Sequence, residues 1–312
     1  MKKVLVIGAS QSGQLDRILD RFAEPLAAAG ARVDRCAIPG FERHPFPWSF
    51  WSFFDVFPES VLGIAPAPGE WAIPDEDYDL VVLGYQVWFL SPSLPVASWL
   101  ADSRTAALLA GRPVVAVVAC RNMWLSAWSR VRARLAASGA RVLDHVVFTD
   151  RGSALASFIT TPRWLLTGRR DRFLGLAPAG VDEAEIAAAG RFGRALVQAL
   201  AEGRERGASP LLSGLAAARV DARLALSERA GARAFALWSR LVRACGKPGQ
   251  RRRRPALLAF VIYLIALILT VVPLSLTLQT LLAPLFRRRF ARIRAEFEAP
   301  SGSGRERLEN HV

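Results

Sequence analysis

The chain has 312 residues, 52% of them hydrophobic and 22% charged, which is enough for one or two domains with a full core. Its net charge of +14 is unevenly placed: residues 1–150 hold 14 Lys/Arg and 15 Asp/Glu, whereas the remainder holds 27 and 12. The basic runs 251–254 and 287–289 flank an uncharged apolar stretch. This placement favours anionic lipid head groups as the partner and argues against nucleic acid.

The cysteines and the N-terminal residues indicate the compartment in which the protein is expected to reside. Cys36, Cys120 and Cys245 form neither a CxxC pair nor a metal-ligand spacing, so we expect a reducing compartment and no metal site. From Met1 the chain passes directly into a β-branched run without a long apolar segment or a cleavage site. We interpret this start as a first strand and not as a signal peptide.

The first candidate binding loop follows this strand. Lys3–Gly8 predicts a central parallel strand, and apolar residues at helical spacing then predict a helix that ends at Gly30. A polar loop between them would direct backbone amides and a helix N-terminus at an anion. Its residues are Ser10, Gln11, Ser12, Gly13 and Gln14. The sequence lacks the Lys and Ser/Thr of a Walker loop and the middle Gly of a dinucleotide fingerprint. A tight turn without a ligand is the alternative.

Residues 31–38 predict the second strand, and the connection after it, residues 39–77, is long and rich in aromatic side chains. His44 and Asp55 lie within it, as does Glu59. Such a connection is typical of a lid or of an apolar substrate wall. The alternative is a packed subdomain without a ligand.

The middle of the chain repeats the pattern of strand, loop and helix. The predicted strands are 79–84, 112–119 and 141–149; the predicted loops are 85–90 and 120–124; the predicted helices are 94–109, 125–138 and 182–203. Ser91-Pro92 supplies an N-cap hydroxyl and a proline for the start of a helix. Residues 150–181 are interpreted as irregular. Five strands alternating with helices predict a doubly wound parallel α/β sheet, in which ligands bind over the carboxyl ends of the strands.

The C-terminal third predicts membrane insertion. No residue from 255 to 286 is charged, a run of 32 positions, where about 20 suffice to cross hydrocarbon. A single transmembrane span, kinked at Pro273, is favoured over a hairpin, which would keep both basic flanks in the cytoplasm. Residues 206–250 predict a basic, amphipathic helical linker, lying on the membrane or packed as a helix pair. The basic and polar tail, 287–312, is expected to be disordered from Glu298.

Three predicted strand ends thus meet at one edge of the sheet. The first offers amides and hydroxyls for a phosphate, and the other two offer aromatic side chains for a flat ring, a combination that suits FMN. The predicted cofactor-binding residues are the five of the first loop together with Tyr85, Gln86, Val87, Trp88, Phe89, Cys120, Arg121, Asn122, Met123 and Trp124.

On these residues the chain resembles the flavodoxin superfamily. Residues 10–14 are similar to its phosphate loop, T/S-x-T-G-x-T, and residues 84–95 resemble the G-x-P-x-Y-x-x-x-P-S loop of its quinone-reductase branch. The sequence departs from the pattern in lacking the last loop hydroxyl, in having Gln86 near the usual Pro, and in its long insert. The resemblance implies a flavodoxin-like domain over residues 1–205.

A closer resemblance is to membrane-associated bacterial proteins known as dialkylresorcinol condensing enzymes. It is carried by HPFPW (44–48), FPESVL (57–62), LGYQVWFLSPSLP (83–95), CRNMW (120–124) and TTPRW (160–164). The resemblance implies a role beside a partner ketosynthase, at the bacterial inner membrane, with the flavodoxin-like domain in the cytoplasm and a homodimer as a further expectation. The sequence shows no Cys-His-Asn constellation for the condensation itself.

The resemblance therefore casts the chain as an FMN-dependent oxidase that converts a lipid-like dialkylcyclohexane-1,3-dione into a resorcinol. The ring loses a hydride to the flavin and an acidic proton to a base. The candidates for that base are Tyr85, His44 and Glu59, with Asp55 as a fourth. Two alternatives stay open: an NAD(P)H-dependent quinone reductase, and a non-catalytic scaffold that recruits the ketosynthase to the membrane.

Overall fold

A computed structural model describes residues 1–74, 77–150, 152, 154–281 and 283–309. Its strands are β1 (Lys3–Gly8), β2 (Arg32–Ala37), β3 (Leu80–Trp88), β4 (Ser91–Pro92), β5 (Pro113–Cys120) and β6 (Arg141–Thr149). Five strands pair in parallel in the order β2-β1-β3-β5-β6, and β4 pairs antiparallel with the end of β3. This is the strand order of flavodoxin-like doubly wound sheets, so the predicted fold class is confirmed.

The helices cover both faces of the sheet and extend beyond it. In the first 205 residues they are α1 (Gln14–Ala28), α2 (Phe50–Asp55), α3 (Phe57–Leu62), α4 (Leu94–Trp99), α5 (Ser103–Leu109), α6 (Leu125–Ala137), α7 (Ala154–Thr167), α8 (Glu183–Ala188) and α9 (Gly190–Ala201). The later ones are α10 (Ala222–Ala244), α11 (Arg254–Leu269), α12 (Val271–Leu281) and α13 (Ala283–Glu298). We call α10–α13 the helical arm.

Two apolar layers sandwich the sheet because alternate strand residues point to opposite faces. On one face, Val4, Leu80 and Val82 pack against α1 and α9. On the other, Val81 and Leu83 pack with residues of α4, α6 and the C-terminal end of α13. These β-branched and leucine-rich strands are buried on both sides, as expected of a parallel sheet.

Several predicted boundaries are wrong. The predicted loop at residues 85–90 is still strand as far as Trp88, because Tyr85 and Gln86 pair with Val118 and Ala119 of β5. The predicted helix 94–109 divides into α4 and α5. Residues 150–181, interpreted as irregular, contain α7, whose internal Pro162 hid the helical pattern. The linker is not helical throughout, since α10 begins only at Ala222.

The predicted disorder of the tail is also wrong as far as residue 309, and residues 310–312 lie outside the described residues. The carbonyls of Gly302 and Gly304 accept hydrogen bonds from the amides of Ala218 and Ala216, and the carbonyl of Ala217 accepts one from the amide of Val147 in the edge strand β6. The Ser301 hydroxyl donates a 2.8 Å hydrogen bond to the fully buried carboxylate of Asp144. The tail therefore helps to cover the edge of the sheet.

Within the described residues one helical stretch, Arg251–Leu281, is long and apolar enough to cross a membrane, judged by length and composition alone. The helix is interrupted at Thr270, whose φ of −116° departs from helical values, three residues before Pro273. It runs antiparallel to α10: Phe260 contacts Phe235, and farther along, Ser275 lies 3.3 Å from the Ser227 hydroxyl.

Candidate functional site

A cleft of about 160 Å³ lies over the carboxyl ends of β1, β3, β5 and β6. Strand β2 lies on one side of β1 and β3 on the other, so the chain reverses its winding direction beside this cleft, where doubly wound sheets bind ligands. The predicted residues that line it are Gln11, Ser12, Gln14, Gln86, Val87, Trp88, Phe89, Cys120 and Arg121. The structure thus brings three predicted loops together.

One wall of the cleft is the turn into α1. Gly13 has a φ of 79°, which only glycine adopts without cost, and it starts the helix directly after the loop. The Ser10 hydroxyl accepts a hydrogen bond from the amide of Leu15. The amides of Ser12, Gly13 and Gln14 donate to no acceptor among the described residues. They form an anion-binding helix N-terminus that still has donors to offer.

The side chains of three glutamines form hydrogen bonds that hold this turn. The buried side chain of Gln14 donates to the Val181 carbonyl at 3.2 Å and accepts from the Val181 amide at 3.1 Å. The Gln86 side chain accepts from the Gln11 amide at 3.2 Å. Gln11 itself donates to the carbonyl of His44 at 2.9 Å. The loop is therefore held in shape by hydrogen bonds to three separate segments of the chain, at His44, Gln86 and Val181, without using the amides of Ser12 and Gly13.

The opposite wall is aromatic. The ring of Trp88 packs edge-on against His44, Trp48 and Phe41, with ring centroids 5.1, 5.4 and 5.8 Å away. Phe89 lies beside it and contacts Phe53 at 5.0 Å. These rings give the cleft a flat apolar side suited to a planar ligand.

Phe89 owes its position to a strained turn. Phe89 and Leu90 connect β3 to β4, with φ of 48° and 62°. A two-residue hairpin of this kind normally has Asn or Gly at both positions, since bulky side chains resist a positive φ. Strain of this sort is concentrated at functional sites, and here it holds the Phe89 ring at the edge of the cleft.

The far end of the cleft carries a cation. Arg121 donates a 2.7 Å hydrogen bond to the Ser157 hydroxyl and lies 3.8 Å from the centre of the Phe158 ring. Burial lowers the pKa of Arg121 to about 10, so it stays protonated at neutral pH. Burial, with a smaller effect of Glu228, raises the pKa of the neighbouring Cys120 thiol well above its ordinary value. A protonated thiol is a poor nucleophile, in keeping with the absence of a condensing constellation in the sequence.

Asp150 and Gly180 are cleft residues that the sequence analysis missed. The buried Asp150 carboxylate accepts hydrogen bonds from the amides of Gly152 (2.7 Å) and Gly180 (3.1 Å). A Cβ at Gly180 would lie 2.3 Å from the Gln14 side chain and 2.9 Å from the Trp164 ring, so only glycine fits. The signal was the position of Asp150 directly after the fifth strand, where the carboxyl end of β6 meets that of β5.

Two predicted ring-binding residues lie in the core instead. Tyr85 is fully buried, and its hydroxyl is 2.9 Å from Nε2 of His145. Trp124 is 2% exposed and packs edge-on against the same imidazole. Because β3 continues through Tyr85, the alternation of a strand turns this side chain away from the cleft. Asn122 and Met123, like Ser10 and Gly13, adjoin the cleft without lining it.

Glu59, a candidate base, is occupied by ion pairs. It accepts from Arg243 at 2.8 Å and from the fully buried Arg253 at 2.9 Å, and Asp55 lies 3.3 Å from the same guanidinium. These contacts join α2 and α3 to the helical arm. Neither carboxylate lines the cleft. His44 is half-buried beside Trp88, and burial lowers its pKa, so the imidazole is neutral at pH 7.

No family model matches the chain, and no curated protein matches it. The solved structures to which it is similar include an archaeal flavodoxin (10% identity, 64% of this chain and 99% of the other, TM-score 0.37), a flavoprotein from Lactobacillus acidophilus NCFM in complex with FMN (16%, 47% and 93%, 0.37), and a flavone reductase (13%, 67% and 66%, 0.38). At such values the function has to be argued from this chain's own side chains.

Proposed function

We propose that the cleft binds FMN and that the protein is a membrane-associated oxidoreductase acting on a ring compound with hydrocarbon tails. The observation that carries the proposal is the pairing of unused amides at the start of α1 with an aromatic wall on β3, in one cleft at the reversal point of the sheet. The amides would bind the phosphate of FMN, and the aromatic wall would contact its flat ring.

The residues present fit the phosphate better than the sequence motif suggests. The last hydroxyl of the flavodoxin loop is replaced by Gln14, whose side chain is committed to Val181. The backbone amides of Ser12, Gly13 and Gln14 nevertheless remain, and amides at a helix N-terminus bind phosphate without help from hydroxyls. The Ser12 hydroxyl, which lines the cleft, is available as a further donor.

The ring would lie between Trp88 and Phe89 on one side and Trp164 on the other. The cleft of about 160 Å³ is smaller than ordinary ligand pockets of ~300 Å³ or more, so binding requires the aromatic side chains to move apart. When bound, FMN supplies a hydride acceptor. Arg121, protonated at the far end of the cleft, would stabilise the negative charge that a reduced ring carries.

The oxidation of a dialkylcyclohexane-1,3-dione to a resorcinol removes one hydride and one proton from the substrate ring. Asp150 is the carboxylate that lines the cleft, and its two oxygens retain lone pairs beyond the two amide contacts. We assign Asp150 as the base that accepts the proton from the substrate. The neutral imidazole of His44, beside Trp88, is the second candidate. Tyr85 and Glu59 are set aside because one is in the core and the other is ion-paired.

Hydrocarbon tails have a place beside the cleft. Phe53 and Phe89 line it, and behind them Phe57 stacks on Phe260 of α11, with centroids 3.8 Å apart. An apolar path therefore connects the cleft to the uncharged helical segment. This supports a lipid-like substrate and a membrane location for the protein, which we propose to be the bacterial inner membrane with the sheet on the cytoplasmic side. A partner ketosynthase and a homodimer are part of the same proposal.

The test is a titration of the full-length protein in detergent with FMN and, separately, with riboflavin, which has no phosphate. We expect FMN to bind at least about tenfold more tightly, a difference of ~1.4 kcal/mol. Ser12→Asp should abolish that preference by repelling the phosphate and should leave riboflavin affinity unchanged. Ser49→Asp, which adds the same charge at an exposed helix cap, is the matched control.

Failure to bind either flavin would reject the redox proposal and leave the scaffold as the best explanation of the apolar arm. Binding of flavin followed by reduction with NADPH, but not with a dione, would favour the quinone reductase. With flavin bound, Asp150→Asn should slow dione oxidation about a hundredfold or more, in the range typical of a lost general base.

A further inference from the structure

Two helices of the helical arm, α11 and α12, expose many large apolar side chains. On α11 the exposed side chains Leu258, Ile262, Ile265 and Leu269 recur at helical spacing, and on α12 Leu274, Leu278 and Leu281 do the same, at 47–72% exposure. The side of α12 that faces the protein carries two polar side chains as well as the buried Val272. Gln279 is 5% exposed and donates to Ser275, and the Ser275 hydroxyl lies near Ser227 of α10.

A pair of helices that exposes a row of leucine and isoleucine side chains is suited to apolar surroundings and not to water. Among the described side chains the stripe extends from Leu258 to Leu285, and Leu237 and Leu241 of α10 are exposed as well. Of the large hydrophobic side chains exposed in the described part of the chain, 11 of 17 lie between residues 237 and 285. A patch of this extent on a protein surface marks an interaction site.

Both ends of the apolar segment are fixed to the sheet domain. Before it, Arg253 is fully buried against Asp55 and Glu59 of the insert. After it, Phe290, Ile293 and Phe297 are buried in the layer that packs on the sheet. The intervening 254–281, about 42 Å of helix, runs back along α10.

Exposed arginines border the stripe at both of these ends. Arg251, Arg252 and Arg254 precede it and the three arginines 287–289 follow it, all of them exposed. Phosphate head groups are the anions found next to a hydrocarbon surface, so the charge matches an anionic leaflet at the same depth on both sides of the stripe. A protein partner would have to offer acidic groups at both ends of a purely aliphatic groove.

We infer that α11 and α12 lie in the plane of a single leaflet of an anionic membrane, with the leucine stripe in the acyl region, and do not cross the bilayer. The inference rests on the membrane association proposed above and is independent of flavin. A span would place one end of the segment about 30 Å from the other across the hydrocarbon, whereas both ends contact one water-soluble domain. A hairpin would need a reversal near Pro273, but the segment continues past it along α10.

The arrangement has a consequence for the cleft. Phe260 is on the inner side of α11, stacked on Phe57, and Phe57 contacts Phe89 at 5.2 Å. The aromatic wall of the cleft then faces the leaflet from which a tailed ring compound would come. An in-plane arm gives such a compound a lateral route that a crossing helix, leading away from the domain, does not.

Depth measurements on full-length protein test the inference. The three native cysteines are replaced by serine, and a nitroxide is attached at single cysteines Leu258→Cys, Ile265→Cys, Leu274→Cys and Leu281→Cys, in vesicles of equal parts phosphatidylcholine and phosphatidylglycerol. We expect all four labels at one shallow depth, roughly 5–10 Å below the head groups. Leu174→Cys, exposed on the sheet domain, is the control and should report water. In sealed vesicles an impermeant maleimide should reach Lys247→Cys and Arg305→Cys from the same side.

Each other outcome overturns the inference in its own way. Labels at 265 and 274 near the bilayer centre, with cysteines 247 and 305 accessible from the same side of the membrane, would mean a hairpin. The same depths with cysteines 247 and 305 on opposite sides would mean a transmembrane span. Protein that does not float with the vesicles would reject the membrane association itself. The triple change Arg287→Gln, Arg288→Gln and Arg289→Gln should weaken vesicle binding roughly a hundredfold, and the effect should disappear in pure phosphatidylcholine. Equal binding to both vesicle types would contradict the role of the anionic leaflet.

Discussion

The sheet domain and the helical arm bury their apolar residues in different ways. In the sheet, strands and helices enclose two apolar layers, and residues such as Leu5, Val82 and Phe22 are completely inaccessible. In the arm, α11 and α12 leave their leucines outside, and the contact with the sheet domain depends on charged pairs, stacked rings and the buried apolar side chains of α13. The first region covers its apolar residues with its own chain, whereas the second leaves the leucines of α11 and α12 uncovered by the described residues and depends on a specific attachment.

The largest effect is expected where the arm is attached. Glu59→Ala removes the carboxylate shared by Arg243 and the fully buried Arg253, which keeps only Asp55 at 3.3 Å, and breaking a buried ion pair in this way costs up to about 3–5 kcal/mol. We expect the variant to lose about that much free energy of unfolding in detergent, with the arm becoming sensitive to protease before the sheet does. Glu42→Ala, which removes an exposed partner of Arg43, should change stability by less than ~0.5 kcal/mol. Equal loss in both variants would contradict this account of the attachment.

Asp144 couples the edge of the sheet to the tail in a pH-dependent manner. It accepts hydrogen bonds from Leu211, Leu212 and Ser301, but burial dominates and raises its pKa to about 6 from 3.8. Between these values the folded chain holds a proton that the unfolded chain has released, so the contribution of this residue to stability falls as pH rises.

The loss should be about 2 kcal/mol between pH ~4.5 and ~7. The free energy of unfolding is measured across this pH range for the wild type and for Asp144→Asn. The difference between the two pH slopes gives the contribution of the Asp144 titration to stability. Parallel slopes would show that the buried carboxyl does not titrate in this window.

The sheet was predictable and the arm was not, for physical reasons. Residues such as Val4–Ile7 and Val114–Val118 form strands in nearly any α/β context, because continuous β-branched runs bury both faces. The attachment of the arm depends on pairs 184 and 194 residues apart, which no local pattern reveals. An uncharged run of 32 residues predicts contact with a membrane, but its direction depends on where both of its ends are fixed.

The candidate site was predictable in part for a related reason. Loops at strand ends are brought together by topology, so Gln11, Trp88 and Arg121 meet as expected. Whether a given side chain points into the cleft depends on where its strand ends. The pairing of β3 with β5 continues through Gln86, two residues beyond the predicted end of the strand. Tyr85 is therefore a strand residue, and its side chain points into the core.

Tyr85→Phe tests that assignment on the sheet side of the comparison. The change leaves Nε2 of the fully buried His145 without its partner at 2.9 Å, which costs about 1–2 kcal/mol. We expect the variant to be less stable by that amount and to bind FMN with unchanged affinity. If FMN affinity or turnover falls while the free energy of unfolding stays the same, Tyr85 belongs to the site after all.

The smallest expected effect is a gain in stability, and it concerns the contact between the helical arm and the sheet domain. Gly231 lies within α10, against the strained Leu90 of the sheet domain, and a Cβ built there would be 3.4 Å from Leu90 Cδ1, an ordinary contact. Since glycine inside a helix costs ~0.5–1 kcal/mol relative to alanine, Gly231→Ala should stabilise the protein by about that amount. Gly193→Ala is the contrasting variant, because its Cβ would lie 2.5 Å from the backbone oxygen of Phe22. It should destabilise, and a gain at Gly193 together with a loss at Gly231 would mean that α10 is packed more tightly against the sheet domain than α1 is against α9.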